Sequence, residues 1–260
     1  DRYDVVIGNN VNGALFSVLG RLTAPLVLDM HGDMAAELSM EEIDSSTARP
    51  IGRQVRKSLY RLAEAVTCRL SSRIWCVSRT MMSTLRGRGI RSEKMLYAPN
   101  GVDLEFFRPI PGEQLASFRS QLGIPPDGML VGYLGRFHRW QGVEAFVEAA
   151  RSFADPRVEF LIVGGTETKR EGNIRFVGEV PLERMPLYYA ICDVVALPRP
   201  RHPATEVAAP TKFAEYVAMG KPVLLTDVGD AARLVEKYGC GIVVHDNSPA
   251  ELHNGIGQMK

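Results

Sequence analysis

The sequence predicts an α/β fold of two facing Rossmann-like domains, the first incomplete. Three observations carry that prediction. Short runs of valine, isoleucine and leucine recur along the 260 residues, apolar at consecutive rather than alternate positions, as in strands covered on both faces. Helical patterns separate these runs, so neighbouring strands can lie parallel with a crossover helix between them. A proline- and glycine-rich passage without helical period, residues 99–112 (PNGVDLEFFRPIPG), interrupts the series. We therefore place a partial first domain at 1–105 and a fuller second domain at 106–260.

In the first domain the predicted strands are 4–8 (DVVIG), 25–29 (PLVLD), 74–77 (IWCV) and 95–98 (MLYA). Before the third strand runs a long basic helical pattern. Residues 49–91 hold eleven basic side chains against one acid, Glu64, a local balance of +10 in a chain of net charge +1. On a helical wheel Arg53, Arg56, Lys57 and Arg61 share one side, and Leu59, Leu62, Val66 and Leu70 share another. Such a segment is either an ordinary solvated helix or a surface for anionic lipid or a phosphate-bearing acceptor. In the second domain the strands are 129–134 (MLVGYL), 158–163 (VEFLIV), 174–177 (IRFV), 193–197 (DVVAL), 222–226 (PVLLT) and 241–244 (GIVV).

Composition narrows the function. With 45% hydrophobic and 23% charged residues the chain reads as a soluble globular protein, and a net charge of +1 offers nothing to a nucleic acid. Its four cysteines form no C-x-x-C pair, which favours free thiols in a reducing cytoplasm over a disulfide scaffold or a zinc site. The apolar stretch ALFSVLGRLTAPLVLDM is broken by Arg21 and Pro25, short of a membrane span. The chain opens at Asp1 directly into a strand, the expectation for a piece whose natural beginning lies upstream.

Two stretches invite a ligand. Residues 209–226, APTKFAEYVAMGKPVLLT, open a short helix with Pro210, close it with Gly220 and run at once into a strand. Lys212 and Glu215 could form an i, i+3 ion pair, worth a few tenths of a kcal/mol. Alternatively, the open helix start and Lys212 attract a phosphate, while the Glu215 carboxylate accepts from two neighbouring hydroxyls. Phosphate beside a vicinal diol describes a nucleotide. In YLGRFHRWQGVEAF, residues 133–146, a strand ends at Leu134, Gly135 permits close backbone approach, and Arg136 stands where a guanidinium can pair with phosphate. A dinucleotide-dependent oxidoreductase would carry G-x-G-x-x-G after its first strand; none is present. The GKP at 220–222 ends a helix rather than opening one, which disfavours a P-loop.

With these stretches in view, the chain resembles the family 4 glycosyltransferases, retaining enzymes of the GT-B architecture that move a sugar from a nucleotide donor. The likeness runs through almost the whole length. VSRTMMSTLRGRGIRSEKMLYAPNGVDLEFFRP looks like the family's interdomain passage, and FLIVGGTE, IRFVGEVP, YYAICDVVALP and PTKFAEYVAMGKPVLLTDVG follow in family order. The resemblance implies that Arg136 and Lys212 hold the donor diphosphate and Glu215 the ribose hydroxyls. It implies that the backbone around Gly135 and Val180 meets the nucleotide, and that N–H groups near Ala209 and Thr211 meet phosphate or sugar. In LVLDMHGDM it places His31 facing the reacting sugar, so His31, Arg136 and Lys212 are the catalytic candidates. No D-x-D motif occurs, and neither a metal nor any other cofactor is expected; the nucleotide-diphosphate sugar is substrate. The partners implied are that donor and a carbohydrate or lipid-linked acceptor, at the inner face of the cell membrane.

The chain also departs from the family. Many members place lysine and glycine five and six residues after the arginine; here Arg136 is followed by Gln141 and Gly142. A charged hydrogen bond is worth roughly 1.5–3 kcal/mol, and Lys212 is the residue present to compensate. The family's glutamate eight positions before Glu215 is Val207, with Glu206 one residue away as the candidate for the donor sugar. The opening strands of the acceptor domain and the closing helices of the family are expected to lie outside this chain. A nucleotide-sugar epimerase and a non-catalytic sugar-nucleotide-binding module remain the alternatives.

Overall fold

Consecutive apolar residues become strands, and the computed structural model describes residues 3–20, 23–44 and 50–260. Of the basic stretch, Arg49 and the Arg53 side chain lie outside what is described. The elements divide between two units, 1–100 with 202–209, and 101–201 with 210–260.

The first unit runs β1 (Val6–Asn9), α1 (Asn10–Leu19), β2 (Leu26–Met30), α2 (Met34–Asp44), α3 (Pro50–Leu70), β3 (Arg73–Cys76), α4 (Arg79–Gly87) and β4 (Met95–Tyr97). Its sheet is parallel throughout, in the order β1-β2-β3-β4. Leu28, Met30, Ile74, Cys76 and Met95 from the strands pack with Ala14, Cys68, Met81 and Leu85 from the helices.

Helix α3 turns its leucines outward. Glu64, Thr67, Cys68 and Ser71 face inward, while Leu59, Leu62 and Leu70 are 59%, 60% and 59% exposed. The reason is an ion cluster. Arg88, directly after α4, donates to Asp33 at 2.6 Å and to Glu64, and Arg61 reaches Asp33 at 3.0 Å. Two buried acids and two arginines therefore satisfy one another, as buried charges must. Burial presses the Asp33 carboxyl upward, but the Arg88 hydrogen bond, the Ala36 N–H and both guanidinium charges outweigh it and hold it below its usual range. For Glu64 burial wins over Arg88, and the group lies above its usual range.

The second unit runs α5 (Gly112–Gln121), β5 (Met129–Leu134), α6 (Val143–Ser152), β6 (Val158–Gly165), β7 (Lys169–Glu171), β8 (Ile174–Gly178), α7 (Met185–Ile191) and β9 (Val194–Leu197). After α8 (Pro203–Val207) it resumes with α9 (Thr211–Ala218), β10 (Val223–Thr226), α10 (Gly229–Tyr238), β11 (Gly241–Val244) and α11 (Pro249–Gln258). The sheet order is β11-β10-β9-β5-β6-β8-β7. All pairs are parallel except β7 with β8. Strand β7 reads KRE, with no apolar residue to announce it, and is the strand the sequence pattern misses. Alternate residues of β5 feed two cores, Leu130 and Leu134 on one face and Val131 and Tyr133 on the other. Those pairs are why the run is apolar throughout. The chain progresses outward from β5 through β6 to β8, then returns to place β9 on the other side of β5. Between the carboxyl ends of β5 and β9 lies the switch point at which such sheets leave a crevice.

Helix α8 belongs to the first unit. Val207 and Ala209 pack with that unit's core, Ser78 Oγ donates to the Val207 carbonyl at 2.6 Å, and Asn100 Nδ2 donates to the Ala209 carbonyl at 2.6 Å. The path thus passes from the first unit at residue 100 and revisits it for 202–209, where the sequence suggests one division near 105.

Candidate functional site

The turn after β5 is built for close approach. Gly135 has φ +147°, and a methyl group on it would lie 2.5 Å from Lys212 Nζ, so only glycine leaves the lysine its place. The Arg136 carbonyl accepts from the Tyr133 hydroxyl at 2.8 Å, while its side chain is exposed at the rim. A cavity of about 530 Å³ opens there, lined by Arg136, Phe137, Gly165, Thr166, Lys169 and Glu179 among others.

Lys212 comes from the first turn of α9. Pro210 precedes that helix and supplies no side-chain cap; its carbonyl takes the Phe213 N–H at 3.1 Å, and the Thr211 and Lys212 N–H groups point out of the helix start. Tyr216 of the same helix donates to the Leu134 carbonyl at 3.4 Å, which ties α9 to the end of β5. Lys212 Nζ donates to Gln141 Oε1 at 2.8 Å and lies 4.9 Å from the centre of the Tyr133 ring. Desolvation first, and the Arg199 guanidinium second, press the Lys212 ammonium down to about 8 against an opposing pull from Glu215. A cation held in that condition gains most from an arriving anion.

Lys212 and Glu215 do not pair with each other. Glu215 Oε2 accepts instead from the Tyr189 hydroxyl at 2.6 Å, and burial pushes the Tyr189 hydroxyl far above its ordinary range, with Tyr216 and Glu215 adding to the shift. Tyr189 therefore stays a donor and fixes the carboxylate. The structure thus brings Gly135, Gln141 and Lys212 into contact, with Glu215 one turn along the same helix. Thr211 is exposed at its start. Val180 stands two residues beyond β8, partly buried against the core that includes Tyr189.

The remaining sequence candidates lie in the first unit. His31 follows β2; its Nε2 is 3.0 Å from Asp29 Oδ2, and its N–H donates to Asn10 Oδ1 at 3.1 Å. Glu206 is half-buried on α8. Val207, where the family pattern has a carboxylate, is 3% exposed and presents only its carbonyl, to Ser78. Ala209 likewise offers its carbonyl to Asn100. Burial pushes the thiols of Cys68, Cys76 and Cys192 up to about 12, out of reach as nucleophiles.

Sequence reasoning missed Tyr189, Tyr133 and Arg199. Tyr189 lies in a quoted stretch, YYAICDVVALP, but nothing in a linear pattern shows that its hydroxyl reaches Glu215, 26 positions on. The sequence also treats Gln141 only as a missing cation, whereas in three dimensions it is an acceptor.

Known proteins match this architecture. Residues 128–259 match the family model described as Glycosyl transferases group 1, and residues 1–101 match the Glycosyl transferase 4-like domain. The chain is 27% identical over 179 residues to D-inositol 3-phosphate glycosyltransferase of Corynebacterium urealyticum, covering 61% of this chain and 41% of that protein. It is 27% identical over 167 residues to alpha-galactosylglucosyldiacylglycerol synthase of Streptococcus pneumoniae, with coverages of 58% and 43%. To the putative colanic acid biosynthesis glycosyl transferase WcaI of Escherichia coli the figures are 25% over 195 residues, 70% and 48%. The matched region spans less than half the length of each of these relatives. Among solved structures, Anabaena Alr3699/HepE in complex with UDP gives a TM-score of 0.76 at 22% identity, covering 98% of this chain and 68% of that one. Sucrose-phosphate synthase from Thermosynechococcus elongatus gives 0.75 at 21%, covering 99% and 64%. At these identities the structural likeness concerns the fold.

Proposed function

Because the chain belongs to the glycosyltransferase group 1 family, we propose that its second unit binds a nucleoside diphosphate sugar, and that the protein passes the sugar to an acceptor hydroxyl with retention. The observation that carries this reading is the Lys212 ammonium, desolvated at the start of α9 and seated over Gly135, with Glu215 oriented by Tyr189 one turn further on. In this reading Arg136 and Lys212 hold the diphosphate, Glu215 takes the ribose hydroxyls, and the backbone near Val180 meets the base. Thr211 and Ala209 offer backbone N–H groups to phosphate or sugar. Glu206 serves the donor sugar. His31, held by Asp29, is the catalytic residue of the first unit.

As the sugar leaves, negative charge grows on the diphosphate. Arg136, Lys212 and the first turn of α9 stabilise it, which is electrostatic catalysis by groups already in place. The acceptor hydroxyl attacks from the face of departure, with the donor phosphate taking its proton. With this cationic set a divalent ion is not required. HepE, a protein of the same fold, was crystallised with UDP and with UDP-glucose, which makes a uridine donor the first to try. The test is calorimetric titration of UDP and GDP, with and without EDTA, into wild type, Lys212→Ala and Glu215→Ala. One nucleotide should bind, EDTA should not matter, and each variant should weaken binding about tenfold or more. Equal binding by wild type and both variants would remove the site from α9.

The acceptor side carries a second proposal. Leu59, Leu62 and Leu70 of α3 are exposed beside the exposed Arg56 and Arg69. Among the described residues no helix is long and apolar enough to cross a membrane. An exposed apolar strip flanked by arginines suits the surface of an anionic bilayer, with a lipid-linked acceptor presented there on the cytoplasmic face. The name of the Streptococcus pneumoniae relative, a diacylglycerol glycoside synthase, supports a lipid acceptor.

A further inference from the structure

Resting on the donor-site reading, we propose that Gln141 is a positioning residue that holds the Lys212 ammonium over Gly135, ready for the donor diphosphate. Its side-chain carbonyl takes the Nζ–H at 2.8 Å. Its own backbone is fixed on both sides. The Gln141 N–H donates to the His138 carbonyl at 2.7 Å. Gly142 has φ +70°, and a methyl group there would lie 1.7 Å from the Pro198 carbonyl oxygen. The turn from β5 to α6 is thereby pressed against the segment that follows β9, which fixes the Gln141 backbone beside the lysine.

The chemistry of the amide explains why it serves. An amide oxygen accepts from an ammonium without cancelling its charge, whereas a carboxylate would neutralise it and a second cation would repel it and accept nothing. The charged groups that bear on Lys212 are Arg199, beyond β9, and Glu215, on its own helix; the Tyr133 ring contributes its face from β5. Gln141 is the neutral member of this shell. It fixes where the charge sits and favours its protonated form.

The experiment is the affinity for UDP or GDP, whichever the wild type binds, from about pH 7 to about pH 10, for wild type, Gln141→Leu and Gln141→Glu. Free Lys212 titrates near 8, and a bound diphosphate favours the ammonium. Wild-type affinity should therefore be level below about pH 8 and fall above it, with a proton taken up on binding. Gln141→Leu removes the acceptor. It should weaken the diphosphate about tenfold, leave the parent nucleoside within about twofold, and move the fall to lower pH. Gln141→Glu keeps an acceptor and adds a negative charge, so it should move the fall to higher pH. Shifts in opposite directions cannot come from a merely structural residue. Wild-type affinity and an unmoved pH profile in both variants would overturn the proposal. Wild type binding neither nucleotide at any pH would overturn the donor-site reading, and this proposal with it.

Discussion

Lys212 concentrates what single residues contribute to this protein. A lysine in the first turn of a helix is ordinarily a hydrated surface charge. Here it is half-buried against the Tyr133 ring and the backbone of Gly135, and Gln141 supplies an acceptor. The site thus depends on an atom that is missing, the Cβ at position 135. Gly135→Ala should lose nucleoside diphosphate binding by at least about tenfold, because Lys212 Nζ must leave its seat. Circular dichroism should be unchanged, and calorimetry with the nucleotide checks the loss. Binding at wild-type strength would show that the ammonium is not used where it stands. At this scale Lys212, Glu215 and Arg136 were legible from their places at a helix start and a strand end. The partners of Glu215 and Lys212 were not, since Tyr189 and Gln141 lie 26 and 71 positions away.

Among the elements, the strands were easier to read than the helices. Ten apolar runs all became strands within a few residues of the predicted bounds. Those covered on both faces, such as β5, β9 and β10, have to be apolar throughout, while β1 and β4 leave Ile7, Leu96 and Tyr97 exposed. Helix α3 shows the opposite case. Its sequence reads as a solvated helix or a surface for anionic lipid and does not say which residues lie inward; these include Glu64 and Thr67, with Ser71 just beyond the helix. Thr67 and Ser71 satisfy their hydroxyls on carbonyls one turn back, and Glu64 is met by Arg88 from beyond α4. The leucines are thereby turned outward. If they meet a bilayer, Leu59→Glu combined with Leu62→Glu should lower the affinity for anionic vesicles, read by co-sedimentation, about a hundredfold or more, each buried leucine being worth about 1.5–3 kcal/mol. Nucleotide affinity should not change. Wild type that ignores anionic vesicles would remove the membrane reading.

For the molecule as a whole, stability hangs on charge pairs that no helical wheel contains. Asp33 comes from a loop, Arg61 and Glu64 from α3, and Arg88 from the end of α4. Arg88→Met should leave buried Glu64 without its hydrogen-bonded cation and Asp33 with Arg61 as its remaining cation, and cost roughly 3 kcal/mol of stability at about pH 7. The sign of the pH effect follows. Burial already holds the Glu64 carboxyl above its usual range, and loss of Arg88 removes the main pull in the other direction. The folded variant then binds more protons than the unfolded one, so the deficit should shrink as pH falls towards about 5. Urea unfolding followed at Trp75 on β3, in a Trp140→Phe background, measures it for the first unit. A deficit that is absent, or that grows on acidification, would mean that Arg88 is not what keeps these acids charged.

The sequence by itself determined the class of fold, the strand series and the residues at the end of β5 and the start of α9. Each of these follows from local rules: which runs must be buried on both faces, where a helix can start and which residues permit a turn. Only the tertiary structure decided the rest. It turned the leucines of α3 outward, brought 202–209 back to the first unit and gave Lys212 and Glu215 separate partners. Each of those outcomes is a hydrogen bond or ion pair between groups far apart in the chain, and no local pattern records which distant group will satisfy a buried charge.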